Sequence, residues 1–367
     1  MTKDQSIKIA IFCGGSGSRM WPASRSDKPK QFQPLIGGKS TFEKLVASLE
    51  KEFGSVNIFP VARREFVGHI VSQAPHIPLE NIIIEPEGRD TMAAIGFAAM
   101  MLDTKFNNPT VISLWSDHLI KNEKNFLKSL RKAAEVSAKT AKIVELGVRA
   151  TFPSTQLGYI KTGKMIEKIE DLGLFEFIAQ IEKPSLEKAQ EFLESWEYLW
   201  HLGYSVWSTK TLLSYYEEFA PATYKTLLKI SELVKNGDSS SKAVKDLFAT
   251  IEKTSIDLAI LEKLGPTERL VISADLGWSD VGTWDVLKDE LGELPEDNVS
   301  TGKSITVESS DNLLFSTNGN KMLVAVGVKG LIIVDTQDAL LVVAKDASGK
   351  VKDAVIKLKE EGHEDYL

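Results

Sequence analysis

The sequence predicts an α/β fold: a doubly wound, mainly parallel sheet followed by a small β-rich region. Three observations support it. Apolar runs rich in β-formers alternate with amphipathic helical segments along most of the chain. The first run, Ile7 to Cys13, stops at Gly14-Gly15-Ser16-Gly17-Ser18, as a buried strand does when it delivers a flexible loop to a sheet edge. Beyond Pro295-Glu296-Asp297-Asn298 only short β-like runs remain, separated by turn signals at Asn318-Gly319, Gly330 and Gln337-Asp338. The expected division is therefore a large domain over residues 1–294 and a small one over 295–367.

The elements follow in order. Ser40 to Glu43 reads as a capping box opening a helix with Phe42, Leu45, Val46 and Leu49 on one face. A strand over Ser55–Val61 and a helix over Glu65–Gln73 come next, then a short strand, Ile82–Ile84, ending in Glu85-Pro86-Glu87-Gly88-Arg89-Asp90-Thr91. The small, apolar segment Thr91–Leu102 reads as a helix capped by Asp90 or Thr91, with a surface that something approaches closely. Strand Val111–Trp115 delivers Ser116-Asp117-His118 to its carboxyl end, the edge where ligands gather in open α/β sheets. Asn122 caps a helix reaching Lys139, and Lys142–Val148 returns as a strand. Strand Phe177–Ile181 leads into Glu182-Lys183-Pro184 and a helix, Ser185–Glu194, with Leu186, Ala189, Phe192 and Leu193 inward. Residues 211–250 are helical, broken by the polar loop Asn236 to Ser241. Thr254-Ser255-Ile256-Asp257 opens another helix, and Leu270–Ser273 is a strand before Gly277-Trp278-Ser279-Asp280-Val281-Gly282-Thr283-Trp284. In the tail, Ser304–Val307, Leu313–Phe315, Met322–Val328, Leu331–Asp335 and Leu340–Val343 are β-like, and Val351–Glu361 is a final helix ended by Gly362.

Composition narrows the function. With 43% apolar and 26% charged residues in 367, the chain is an ordinary globular protein with a large core. It has no bilayer-length apolar run and no signal-peptide core, which leads to the expectation of a cytoplasmic protein without membrane partners. The single cysteine, Cys13, excludes an internal disulfide and a cysteine-built metal site, and it reads as a small buried hydrophobe. A net charge of −7 argues against nucleic acid as a partner. Positive charge is instead local. Arg19, Arg25, Lys28 and Lys30 follow the glycine loop with Asp27 as the lone acid among them, so backbone N–H groups and cations converge on a polyphosphate.

Three familiar phosphate loops are excluded by single positions. The dinucleotide pattern and the kinase pattern need a glycine where Met20 stands, and the P-loop pattern before Gly38-Lys39-Ser40 needs one where Gln33 stands. What remains, G-G-x-G-x-R-M-W-P-x-S-R followed by Pro29-Lys30-Gln31-Phe32, closely resembles the signature of sugar-nucleotide pyrophosphorylases, specifically mannose-1-phosphate guanylyltransferases. The resemblance extends to about Lys352, with its marks in family order. It implies a Rossmann-like, GT-A-like mixed sheet with a C-terminal left-handed β-helix.

The resemblance also implies site residues. Gly14, Gly15, Gly17, Arg19 and Lys30 would hold the nucleotide phosphates; Glu85, Arg89, Thr91 and Ser116 would line the nucleotide site, with Met92-Ala93 standing where the family usually has Ala-Pro. Asp117 and Asp280 would hold Mg2+. Gly158, Glu182, Lys183, His201 and Gly203 would face the sugar phosphate, with Gln156-Leu157 replacing the family Gly-Tyr and His201 replacing the family asparagine. Arg19, Lys30, Asp117 and Asp280 would carry catalysis. The implied reaction joins GTP and mannose 1-phosphate into GDP-mannose and pyrophosphate, in an assembly that allows a homodimer. Two alternatives stay open at this point: a non-catalytic GDP-sugar-binding regulatory subunit, and a pyrophosphorylase for another hexose 1-phosphate or nucleotide.

Overall fold

A computed structural model of the chain describes residues 6–15, 17–236, 241–317 and 319–367. The expected loop around 237–240, the turn at Asn318, Ser16 of the glycine loop and the N-terminal Met1 to Gln5 lie outside the described residues. No helix among the described residues is long and apolar enough to cross a membrane.

The chain packs as two compact units. The first comprises Met1–Gly14, Leu45–Ser116 and Ile120–Trp278; the second comprises Gly15–Lys44, Asp117–Leu119 and Ser279–Leu367. The strands up to the end of the first unit are β1 (Ile7–Phe12), β2 (Ile58–Arg63), β3 (Ile83–Glu85), β4 (Thr110–Trp115), β5 (Leu119–Ile120), β6 (Ile143–Arg149), β7 (Gly158–Ile169), β8 (Leu172–Ile181), β9 (Tyr198–Ser208), β10 (Arg269–Ser273) and β11 (Trp278–Ser279). Apart from the short β5 and β11, which pair with each other, they form one sheet in the order β3-β2-β1-β4-β9-β6-β10-β8-β7. β1 to β4 run parallel, as the strand–helix alternation predicts. The other half is mixed, because β9 runs antiparallel to both β4 and β6, and the β7–β8 hairpin folds back on β9 and β10. That hairpin has no clear apolar alternation, whereas β9 alternates from Trp200 to Val206. Much of β7 beyond Lys161 is solvent-exposed, so nothing in its composition marks it as a strand.

The second unit holds β12 (Val299–Thr301), β13 (Lys303–Val307), β14 (Leu313–Ser316), β15 (Met322–Val326), β16 (Leu331–Asp335) and β17 (Leu340–Ala344). β12, β14 and β16 stack in parallel, as do β13 and β15, which is the arrangement of successive β-helix coils; β17 closes the first sheet antiparallel. Val299, Leu313, Phe315, Ile332 and Val334 bury against Met20, Ala23, Leu35, Ile36, Leu119, Val281 and Trp284. The packing boundary thus differs from the expected division at residue 294. The segment after the glycine loop, and the turn containing Asp280, share the core of the β-helix strands. Trp284 fastens the arrangement, donating from Nε1 to the Trp21 carbonyl at 3.0 Å.

Local expectations resolve in detail. The capping box forms reciprocally, the Ser40 N–H donating to Glu43 Oε2 at 2.8 Å and the Glu43 N–H to Ser40 Oγ at 3.0 Å. Leu186 is 52% exposed rather than inward, so Ala189 and Phe192 carry the buried face of its helix. Neither Asp90 nor Thr91 caps the helix Asp90–Phe106, whose N-cap position is Arg89. Thr91 Oγ1 instead accepts the Ile256 N–H at 2.9 Å.

The small residues of that helix are occupied by protein. A Cβ at Gly96 would lie 2.6 Å from Tyr216 Cε1 and 2.9 Å from Leu227 Cδ1, and Tyr216 donates its hydroxyl to the Met92 carbonyl at 2.6 Å. The close approach read from the sequence is therefore that of neighbouring helices. Gly96→Ala is expected to destabilise the protein by about 1–3 kcal/mol through overpacking, read as a lower urea midpoint with an unchanged slope.

Candidate active site

Lys30 organises the chemistry of the second unit. It sits at the start of a short turn, Lys30–Phe32, after Pro29, and its side chain is only 6% exposed. Its ammonium lies 2.9 Å from Asp117 Oδ2 and donates to the Asp280 carbonyl at 2.9 Å. One buried cation thus touches both residues expected to hold the metal. The Asp117 carboxylate keeps 36% of its side chain in contact with solvent. Burial pushes its carboxyl up, but the Lys30 charge, aided by His118, holds it below the ordinary value, so it is ionised.

The glycine loop is shaped to admit that lysine. Gly17 has φ +62°, and a Cβ there would lie 2.7 Å from Lys30 Cβ and 2.8 Å from Ser24 Oγ, so both conformation and space demand glycine. Gly15, at φ +88°, faces open space, as does Gly14, leaving exposed backbone where phosphates can approach. Across the unit, Val281 takes φ +41°, an outlier for a β-branched residue, while its side chain is buried in the core. The strained turn brings Asp280 and Gly282 into register with Arg19: a Cβ at Gly282 would lie 3.0 Å from Asp280 Oδ2 and 3.2 Å from Arg19 Nη2. Guanidinium, ammonium and two carboxylates therefore share one corner of this unit.

Among the described residues, no group of three or more His, Cys, Asp or Glu side chains could hold a metal ion. Two carboxylates do fit a hard divalent ion that keeps water and completes its shell with phosphate oxygens. Asp117 Oδ1 lies 3.9 Å from His118 Nε2. Burial pulls the His118 pKa below its ordinary value, with Asp117 and Asp280 opposing and Lys30 adding to the fall.

The first unit carries the residues expected to face sugar and base. Glu182 follows β8, and Lys183 sits beside it with Nζ 3.7 Å from Glu182 Oε1 and 62% of its side chain exposed. Lys183 adopts φ +44°, a left-handed conformation held immediately before Pro184. A Cβ at Gly158 would overlap Glu182 Oε2 and lie 3.3 Å from His201 Cβ, so glycine there makes room for the carboxylate. His201 is buried, with Nδ1 3.1 Å from Gln180 Nε2 and Nε2 3.5 Å from Glu145 Oε1. Gly203, at φ +70°, abuts the Trp115 indole, which a Cβ would overlap.

At the carboxyl end of β3, Glu85 lines a cavity of about 700 Å³ with Arg63, Pro86 and Lys105. Burial raises its carboxyl to about 7, against the Arg89 backbone N–H and the Arg63 charge. Arg89 is tied down, donating from Nε to the Ile251 carbonyl at 2.6 Å. Ser116 is buried and donates its hydroxyl to the Phe12 carbonyl at 3.0 Å. Sequence reasoning missed Glu145, Gln180 and Arg269, which surround His201, and took Asp257 only as part of a helix start. A charged residue inside the apolar run Ile143-Val144-Glu145-Leu146 was the available signal, because a buried strand accepts a carboxylate only with a partner.

The pattern characteristic of the nucleotidyl transferase family matches residues 8–296, and that of the MannoseP isomerase/GMP-like beta-helix domain matches residues 302–358. The chain is 32% identical over 365 residues to a mannose-1-phosphate guanylyltransferase of Escherichia coli, covering 97% of this chain and 76% of that protein. It is 31% identical over 353 residues to the xanthan biosynthesis protein XanB of Xanthomonas campestris, covering 96% and 73%. A crystal structure described as mannose-1-phosphate geranyltransferase from Thermus thermophilus superposes with a TM-score of 0.84 at 26% identity, covering 96% of this chain and 99% of that one. The chain therefore belongs to the nucleotidyl transferase family and carries a β-helix domain of the MannoseP isomerase/GMP-like type after its catalytic region.

Proposed function

We propose that this protein transfers a guanylyl group from GTP to mannose 1-phosphate, giving GDP-mannose and pyrophosphate. The observation that supports this reading best is the double contact of Lys30, with the Asp117 carboxylate and the Asp280 carbonyl, beside Arg19 and the glycine turn. Relatives named mannose-1-phosphate guanylyltransferase, alike over nearly the whole chain, support the choice of substrates.

The reaction needs no covalent intermediate. A phosphate oxygen of the sugar phosphate attacks the α-phosphorus of GTP in line, the bond to the β-phosphate oxygen breaks, and pyrophosphate leaves with that electron pair. Catalysis is positioning plus neutralisation of charge. Arg19 and the loop N–H groups hold the leaving phosphates, and Lys30 faces the phosphoryl centre. Lys183 receives the incoming phosphate and Glu182 the sugar hydroxyls. Asp117 and Asp280 would hold Mg2+, which supplies electrophilic stabilisation of phosphate charge. Glu85, Arg89, Thr91 and Ser116 shape the nucleotide side, the last three partly through their hydrogen bonds to Ile251, Ile256 and Phe12.

The direct test is pyrophosphate release with GTP, ATP, UTP and dTTP against several hexose 1-phosphates; the expected preference is GTP with mannose 1-phosphate. Asp280→Asn should retain the wild-type melting temperature and lose about 100-fold or more in kcat at saturating Mg2+. A near-normal rate would remove Asp280 from the mechanism. Lys183→Ala should raise KM for mannose 1-phosphate far more than KM for GTP, and equal effects would show that Lys183 has been misassigned.

Glu85 adds a pH dependence. Its folded carboxyl titrates near 7 whereas an unfolded chain releases the proton near the ordinary glutamate value, so proton retention favours the folded state below about pH 4.5 and the benefit is lost as pH rises through about 7. Thermal unfolding at a series of pH values should find Glu85→Gln more stable than wild type above that range, with the gap closing on acidification.

A further inference from the structure

His201 stands in a network of largely buried polar groups to which the proposed reaction assigns no role. Along the β6–β9 pairing, Glu145 faces Ser205 and Gly147 faces His201, so β9 advances four residues while β6 advances two. Gly203, in the left-handed region, lies in that bulge. The bulge places His201 against Glu145. Arg269, fully buried, donates from Nη2 to Glu145 Oε2 and to Gln180 Oε1, and from Nη1 to the Leu261 carbonyl at 3.0 Å. Gln180 Nε2 donates to Asp257 Oδ1 at 2.9 Å and lies 3.1 Å from His201 Nδ1. Asp257 Oδ1 is itself 3.9 Å from His201 Nδ1.

The network ends at Glu182. Gly158 pairs with His201 on one side, and because Tyr159 pairs with Ile181 on the other, Gly158 falls opposite Glu182. The missing Cβ lets the Glu182 carboxylate lie between the two strands beside His201.

We infer that Glu145, Arg269, Gln180, His201 and Asp257 form one buried positioning unit for Glu182, so that His201 governs hexose recognition through that carboxylate rather than by touching the sugar. The inference rests on the proposed function. Both imidazole nitrogens face protein groups, and the side chain is 7% exposed. The charges facing it come from every neighbouring element: Glu145 on β6, Arg269 on β10, Asp257 on the helix Ile256–Ala259, and Glu182 after β8, itself paired with Lys183. Burial opposes a charged imidazole, yet Glu145 and Asp257 hold its pKa above the ordinary value. Glu145, although fully buried, is held down at about 2 by Arg269 and His201. Burial and Asp257 push Glu182 up, and His201 and Lys183 pull it down.

His201→Asn separates the two roles, because asparagine is the residue the family resemblance places at the sugar. Positioning through Glu182 predicts a KM for mannose 1-phosphate raised on the order of 10-fold with KM for GTP and kcat little changed, and a non-additive cycle with Glu145→Gln. Asp257→Asn, at a side chain 24% exposed, should move the same KM and carries the test if His201→Asn fails to fold. An unmoved or lowered KM in the variant that folds overturns the inference alone. Absence of wild-type turnover with GTP and mannose 1-phosphate removes the functional reading and this inference together.

Discussion

The second unit depends on one ammonium. Lys30 is buried, and a buried cation is tolerated only where anionic or carbonyl oxygens replace its water. Those oxygens come from Asp117 and from the backbone of Asp280, so the contact joins three separate stretches of chain. The glycine at 17 follows from the same constraint, since a side chain there would occupy the space of Lys30. The lysine thus fixes where the acids stand and keeps Asp117 ionised before any ligand arrives, the preorganisation that charge-neutralising catalysis requires.

Left-handed backbone recurs beside the candidate site residues, at Asp90, Lys183 and Val281. Val281 adopts a conformation that costs a β-branched residue of order 1–3 kcal/mol, and its side chain is anchored in the apolar core of the β-helix strands. Lys183 is likewise left-handed, between Glu182 and Pro184. Both outliers adjoin residues to which a reacting group is assigned, Asp280 and Glu182.

The parallel half of the sheet was legible in the sequence because β1, β2 and β4 are nearly continuous apolar runs bounded by turn residues. The residues that meet around Lys30 were singled out in the sequence too, since Gly17, Lys30, Asp117 and Asp280 occupy motif positions. In the antiparallel half, β6, β10 and the end of β8 were legible as apolar runs, whereas β7 and β9 were not. β7 alternates poorly and is largely wet, while the bulge in β9 takes in an even number of extra residues, so the alternation runs through it unbroken and does not mark it. The same bulge hides the network around His201. Residues that meet through a register shift leave no spacing to read, and only the lone carboxylate of Glu145 within an apolar strand hinted that a partner existed. The two-unit packing escaped for a related reason: Met20, Ala23 and Leu35 read as parts of a loop, whereas their apolar contacts are with strands far later in the chain, from Val299 onward.

That last contact explains why the tryptophans of these motifs accompany the charged residues. Trp284 is fully buried, packs its ring against Phe315 with centroids 5.1 Å apart, and donates to the carbonyl of Trp21. It takes part in no charge chemistry. Yet it closes the same turn as Asp280 and bonds to the segment between Arg19 and Lys30, so it ties both sides of the charged corner to one hydrophobic floor. A large indole with a single donor suits this role, because its area supplies the burial and its N–H satisfies a carbonyl that the turn would otherwise leave unpaired. The β-helix strands therefore support the residues proposed to handle phosphate, and the compact unit cuts across the sequence domains because those residues share its core.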